Sequence, residues 1–137
     1  GADRSTKHFY MDKITKNLIP ILEKHQIEYL NHGTRIKIPL PNAFGELEIG
    51  DLEKEDTIIG LVGEEWHTHG GQLKFEEGGD TIAESIYLLI KKIFEGEYFL
   101  IEELEDGKPI RRTIEDDLER FYKYLPQELE VRIYNET

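Results

Sequence analysis

His67-Thr68-His69 sets two imidazoles two residues apart at the end of an apolar run and directly before Gly70-Gly71. In an extended strand, residues i and i+2 point to one face. Both rings can therefore turn a nitrogen toward one cation, with Glu65 two residues earlier on the same face. Two imidazoles and a carboxylate begin a zinc site, and a zinc-bound water is a ready nucleophile for hydrolysis. The same pair at a strand end also occurs with nothing bound, so the segment Glu64 to Gly71 marks a candidate site and leaves its reaction open.

Other chemistries find less support. Cysteine is absent, which removes disulfides, thiolate metal sites and a cysteine nucleophile, and fits a reducing compartment such as the cytoplasm. Ser85 is the only serine beyond residue 10, and it lies inside a helical pattern without the glycines of a nucleophile elbow. Gly70-Gly71 and Gly78-Gly79 have neither the P-loop lysine nor dinucleotide spacing, and read as hinges around a loop over 72–77. Carboxylates are so numerous that neighbouring pairs are expected by chance.

The elements that must position the histidines read as one α+β domain. Residues 1–10 precede Met11, the only methionine, and are read as a tag or disordered leader; 11–137 form the domain. Ile14, Leu18, Ile21 and Leu22 recur at helical spacing over 12–25, with Pro20 expected to kink or break the helix. Period-two alternation over 35–40 and 46–49, joined through Pro41 to Gly45, predicts an antiparallel pair with one wet face. A strand over 57–69 follows, apolar on both faces in its first half, which suits a central position.

The clearest helix spans 81–95, with Ile82, Ile86, Leu89, Ile90 and Ile93 on one stripe. Thr81 and Glu84 have capping-box spacing, and Gly96 sits where a left-handed residue is needed. Asp106-Gly107 predicts a type I′ hairpin between strands over 98–105 and 108–113. A third helix over 114–125 and a strand over 129–133 complete the order α-β-β-β-α-β-β-α-β, an antiparallel sheet with about three helices.

Charge narrows the partners. With 29 acidic against 17 basic residues and a net charge of −12, the chain repels nucleic-acid phosphates and anionic membranes. The longest apolar stretches, Ile58 to Val62 and Ile86 to Ile90, fall far short of the ~20 residues that cross a bilayer.

Two resemblances add to this reading. His67-Thr68-His69 followed by Asp80 is similar to the His-x-His and later Asp of the JAMM zinc isopeptidases, and the spacing from His69 to Asp80 agrees. Gly70 stands where that family has Pro, and Glu77 where it has Ser. The resemblance implies zinc held by His67, His69 and Asp80, with Glu65 or Glu77 as the base.

The second resemblance covers more of the chain. An acidic strand ending in Trp66-His67-Thr68-His69-Gly70, an amphipathic helix ending in Gly, and a strand pair around Asp106-Gly107 look like small bacterial immunity partners of polymorphic toxins. This implies a cytoplasmic, non-enzymatic protein without a cofactor that neutralises a basic toxin by covering its active cleft. Glu46, Glu48, Asp51, Glu53, Glu55 and Asp56, and Glu102, Glu103, Glu105 and Asp106, would steer toward such a partner. Glu64, Glu65, Trp66, His67 and His69 would form the contact, with Trp66 or Tyr98 as anchor. The favoured expectation is this interaction protein. The alternatives are the zinc hydrolase and a soluble bacterial domain with no catalytic site.

Overall fold

A computed structural model describes residues 13–52 and 56–136. The leader read over 1–10 and the acids Glu53 and Glu55 lie outside the described residues.

Helix α1 (Lys13–Lys24) buries Leu18 and Leu22 completely, and the amphipathic face expected from their spacing is the one that packs. Pro20 sits exposed within it, and the helix runs through the proline instead of breaking. The chain then forms β1 (Leu30–Asn31), β2 (Arg35–Pro39), β3 (Glu46–Asp51), β4 (Thr57–Leu61) and β5 (His67–His69), antiparallel in the order β1-β2-β3-β4-β5. Ile36, Ile38, Leu47, Ile49 and Ile59 turn inward and are fully buried, while Lys37 and Glu48 lie on the wetter face, as alternation requires.

The strand expected over 57–69 is two strands. Gly63, at φ 80°, turns the chain between β4 and β5, which pair as Ile58 with His69 and Gly60 with His67. The first half, β4, is an interior strand between β3 and β5, as its apolar faces suggest, and the second half, β5, is the edge.

Helix α2 (Gly70–Glu77) follows β5 without a break, where a loop was expected. It starts on two glycines, and Leu73 is the only buried side chain in it, so there is no apolar stripe to read. Gly78 closes it at φ 75°, its N–H donating to the Lys74 carbonyl.

Helix α3 (Ile82–Phe94) lies as expected. Thr81 Oγ1 accepts from the Glu84 N–H at 3.0 Å, whereas Glu84 Oε2 accepts from the Asp80 N–H, one residue earlier than a capping box has it. Gly96 takes the expected positive φ. Ile86, Leu89, Ile90 and Ile93 are buried, at about 1.5–3 kcal/mol each.

The remaining strands make a second antiparallel sheet, β7-β6-β8, from β6 (Phe99–Glu105), β7 (Lys108–Glu115) and β8 (Glu130–Ile133). Asp106 and Gly107 both have positive φ, as a type I′ turn demands. Because β7 runs on to Glu115, helix α4 (Leu118–Tyr124) starts later than expected, capped by Asp117 accepting from the Arg120 N–H at 3.0 Å. Buried Asn135 joins the two layers: its Oδ1 accepts from Leu100 N–H, and its Nδ2 donates to the Ile93 and Tyr98 carbonyls. The class is α+β, with four helices among the described residues where about three were expected. None of them is long and apolar enough to cross a membrane.

Candidate functional site

The β5 to α2 junction exists because Gly70 has no side chain. A Cβ there would stand 2.8 Å from Ile82 Cγ2 and 3.2 Å from Thr57 Cβ, so only glycine lets the strand turn into the helix against α3. His67 and His69 both emerge exposed, with ring centroids 5.5 Å apart and planes at 76°. The expectation that they share a face holds.

Their hydrogen bonds set their chemistry. His67 Nδ1 lies 2.9 Å from the Glu65 carbonyl oxygen, which can only accept, so Nδ1 carries the proton. His69 Nδ1 meets Asp56 Oδ2 at 2.9 Å, and Asp56 Oδ1 accepts from the Thr57 N–H at 2.8 Å. In the neutral form each ring keeps its lone pair on Nε2, where it can accept from an outside donor.

The other residues of the zinc reading are placed differently. Asp80 is exposed at the start of α3, and Glu65 lies in the turn before β5, outside the strand. Glu77 is unsuited to the role of base. Its carboxylate is fully buried, Lys92 Nζ lies 2.7 Å away, and the Tyr98 hydroxyl donates to it, raising the tyrosine's own pKa through burial first and this bond second. Among the described residues, no three His, Cys, Asp or Glu side chains gather into a group that could hold a metal ion.

Of the acids expected to steer a partner, Glu102 and Glu103 are a correction. They are 1% and 4% exposed, because β6 is the middle strand of its sheet and is covered on both faces. Arg112 Nε donates to Glu102 Oε2 at 2.9 Å, the Tyr134 hydroxyl to Oε1 at 3.0 Å, and Arg132 Nη1 to Oε1 at 3.4 Å. Glu103 is bonded by Arg111 Nε. Glu48 pairs with Arg35 at 3.0 Å and Glu46 is half-buried. Asp51 accepts from the Thr15 N–H and hydroxyl of α1. Glu64 Oε1 accepts from the Arg112 backbone N–H at 2.8 Å and so ties the β4–β5 turn to the edge of β7. Glu105 and Asp106 remain exposed.

Beyond that tie the two sheets part, and a groove of about 560 Å³ opens between β5 and the end of β7. Trp66, Leu73, Leu89 and Ile114 give it apolar walls, Tyr98 adds a ring, and Glu76, Glu115, Asp116 and Arg120 stand around it with His67 and Thr68. Arg120 Nη2 meets Asp116 Oδ1 at 3.2 Å, so one of the three acids is paired. Burial raises the pKa of Glu115, with Arg120 opposing and Asp116 adding to the shift. Trp66 is half-buried against the core and also forms part of this groove, so one side chain both packs and lines the groove.

Sequence reasoning missed Glu76, Glu115, Asp116 and Arg120 as site residues. The helix expected from residue 114 puts Asp116 in a first turn, and only the placing of the second sheet beside the first brings Glu115, Asp116 and Arg120 next to Trp66, while Glu76 comes from α2.

No family model, curated protein or solved structure matches the chain.

A second cavity, of about 590 Å³, lies between the end of α1, β2 and α3. It is lined by the His25 ring, stacked on Tyr87 at 4.1 Å, together with Phe94, Pro39, Pro41, Lys91 and Glu95.

Proposed function

We propose that the protein is a non-enzymatic binding protein of the bacterial immunity type, which neutralises a basic toxin in the cytoplasm by covering its active cleft. The observation that carries this reading is the groove beside Trp66, where three acids and one arginine surround apolar walls in a chain of net charge −12. An acidic rim accelerates encounter with a basic protein, and a desolvated aromatic wall supplies the short-range energy that charge alone does not. The exposed imidazole of His67 lines the same groove and adds an Nε2 acceptor to it.

The experiment is inhibition of the toxin encoded beside this protein. Equimolar protein should abolish the toxin's activity at low salt, and added salt should restore part of it. Undiminished toxin activity at a large molar excess of this protein would remove the reading.

A further inference from the structure

The groove has a feature that charge does not explain: it lies between two sheet edges. β5 ends the five-stranded sheet and β7 ends the three-stranded one, so each has a single paired neighbour among the described strands. Arg112 sends its backbone N–H away from β6, to Glu64. A strand's backbone groups alternate in direction, so the N–H and C=O of Ile114 point to the same side as those of Arg112. That side is the groove, which Ile114 and Glu115 line opposite Trp66, His67 and Thr68. An edge with outward backbone groups is a template for an added strand.

We propose that this groove receives an extended, basic segment of the partner as an added strand along β7, between the two sheets. Main-chain bonds to the Ile114 edge would hold the segment. A Lys or Arg side chain would lie among Glu76, Glu115 and Asp116, and an alternate apolar side chain against Trp66 and Leu73. Charge complementarity selects this occupant: an acidic extended segment would face the same three carboxylates with only Arg120 to meet it. The mode is strand addition, in which backbone bonds give affinity and alternate side chains give specificity.

The inference rests on the binding-protein reading and can fail separately from it. The probe is a capped six-residue peptide alternating Lys and Val, titrated into the 15N-labelled protein and followed by amide and indole resonances. Expected are shifts concentrated at the Trp66 indole, His67, Ile114 and Glu115, with slowed solvent exchange of the Ile114 amide. N-methylation of alternate peptide nitrogens should weaken binding about tenfold, since it removes the main-chain bonds. A Glu–Val peptide should not bind, and Glu115→Lys with Asp116→Lys should abolish binding of the Lys–Val peptide. Shifts scattered over the acidic surface, or an N-methylated peptide that binds as well as its parent, would overturn the proposal. Should the toxin be inhibited while the groove ignores the peptide, the strand-addition idea falls and the binding-protein reading stands. Peptide binding at the groove without toxin inhibition would instead uphold strand addition and remove the toxin as its partner.

Discussion

Glu102→Ala separates a structural acid from a steering one. The wild-type carboxylate is 1% exposed and holds Arg112 at 2.9 Å, Tyr134 at 3.0 Å and Arg132 at 3.4 Å. The charge-assisted bond to Arg112 contributes about 1.5–3 kcal/mol and the Tyr134 bond about 1–1.5 kcal/mol. Arg132, with a side chain 61% exposed, adds about 0–0.5 kcal/mol. Breaking a buried pair costs about 3–5 kcal/mol, and the lower end applies here because Arg112 is 36% exposed and keeps its 2.6 Å bond to the Phe44 carbonyl. The expected loss is about 3 kcal/mol, or roughly 9 °C in Tm for a domain of this size. Guanidinium unfolding followed by Trp66, the single tryptophan, measures it, with exposed Glu105→Ala as a control expected within about 0.5 kcal/mol of wild type. A Glu102→Ala protein that unfolds like Glu105→Ala and binds the toxin more weakly would refute the argument and return Glu102 to the working surface.

Gly79→Ala should destabilise by about 1–3 kcal/mol in the same assay, because the new Cβ would meet the Ser85 backbone nitrogen at 2.8 Å at the start of α3; an unchanged midpoint would show that α3 yields there. Burial raises the folded pKa of Glu115 above its unfolded value, so the folded state binds this proton more readily and stability falls as pH rises through that window. Glu115→Gln should therefore be more stable than wild type at neutral pH, with the gain fading as pH drops into the ordinary carboxylate range. Unfolding midpoints across that range check it, and a gain that grows in acid has the wrong sign. Zinc titrated by calorimetry should give at most weak binding, since His67 and His69 bring two imidazoles and Asp80 does not complete a metal group with them. One tight site per chain, lost in His67→Ala/His69→Ala, would put the hydrolase in place of the binding protein.

Elements with strong local signals were legible in the sequence. α3 carried a five-residue apolar stripe, a threonine cap and a closing glycine, and the Asp106-Gly107 turn needed only two residues with positive φ. α2 was not legible, because a helix that buries Leu73 and opens on two glycines carries no periodicity. The division into two sheets was also hidden: β6 carries the adjacent acids Glu102 and Glu103, which read as a solvated cluster because their arginine partners come from strands 8 to 30 residues away. Of the candidate site, the shared face of His67 and His69 followed from strand geometry alone. The groove did not, since Trp66 and Glu115 meet only after the sheets are placed against each other. Phe75, 85% exposed on α2, has no signal in the sequence that marks it as a surface residue.

The most direct test of the central claim is calorimetric titration of the proposed basic toxin into this protein, at low and at high salt, with wild type and with Glu115→Lys/Asp116→Lys. One-to-one binding that weakens with salt and is lost in the variant is the predicted result. Absence of heat at low salt, or binding indifferent to both salt and the two charge reversals, would contradict it.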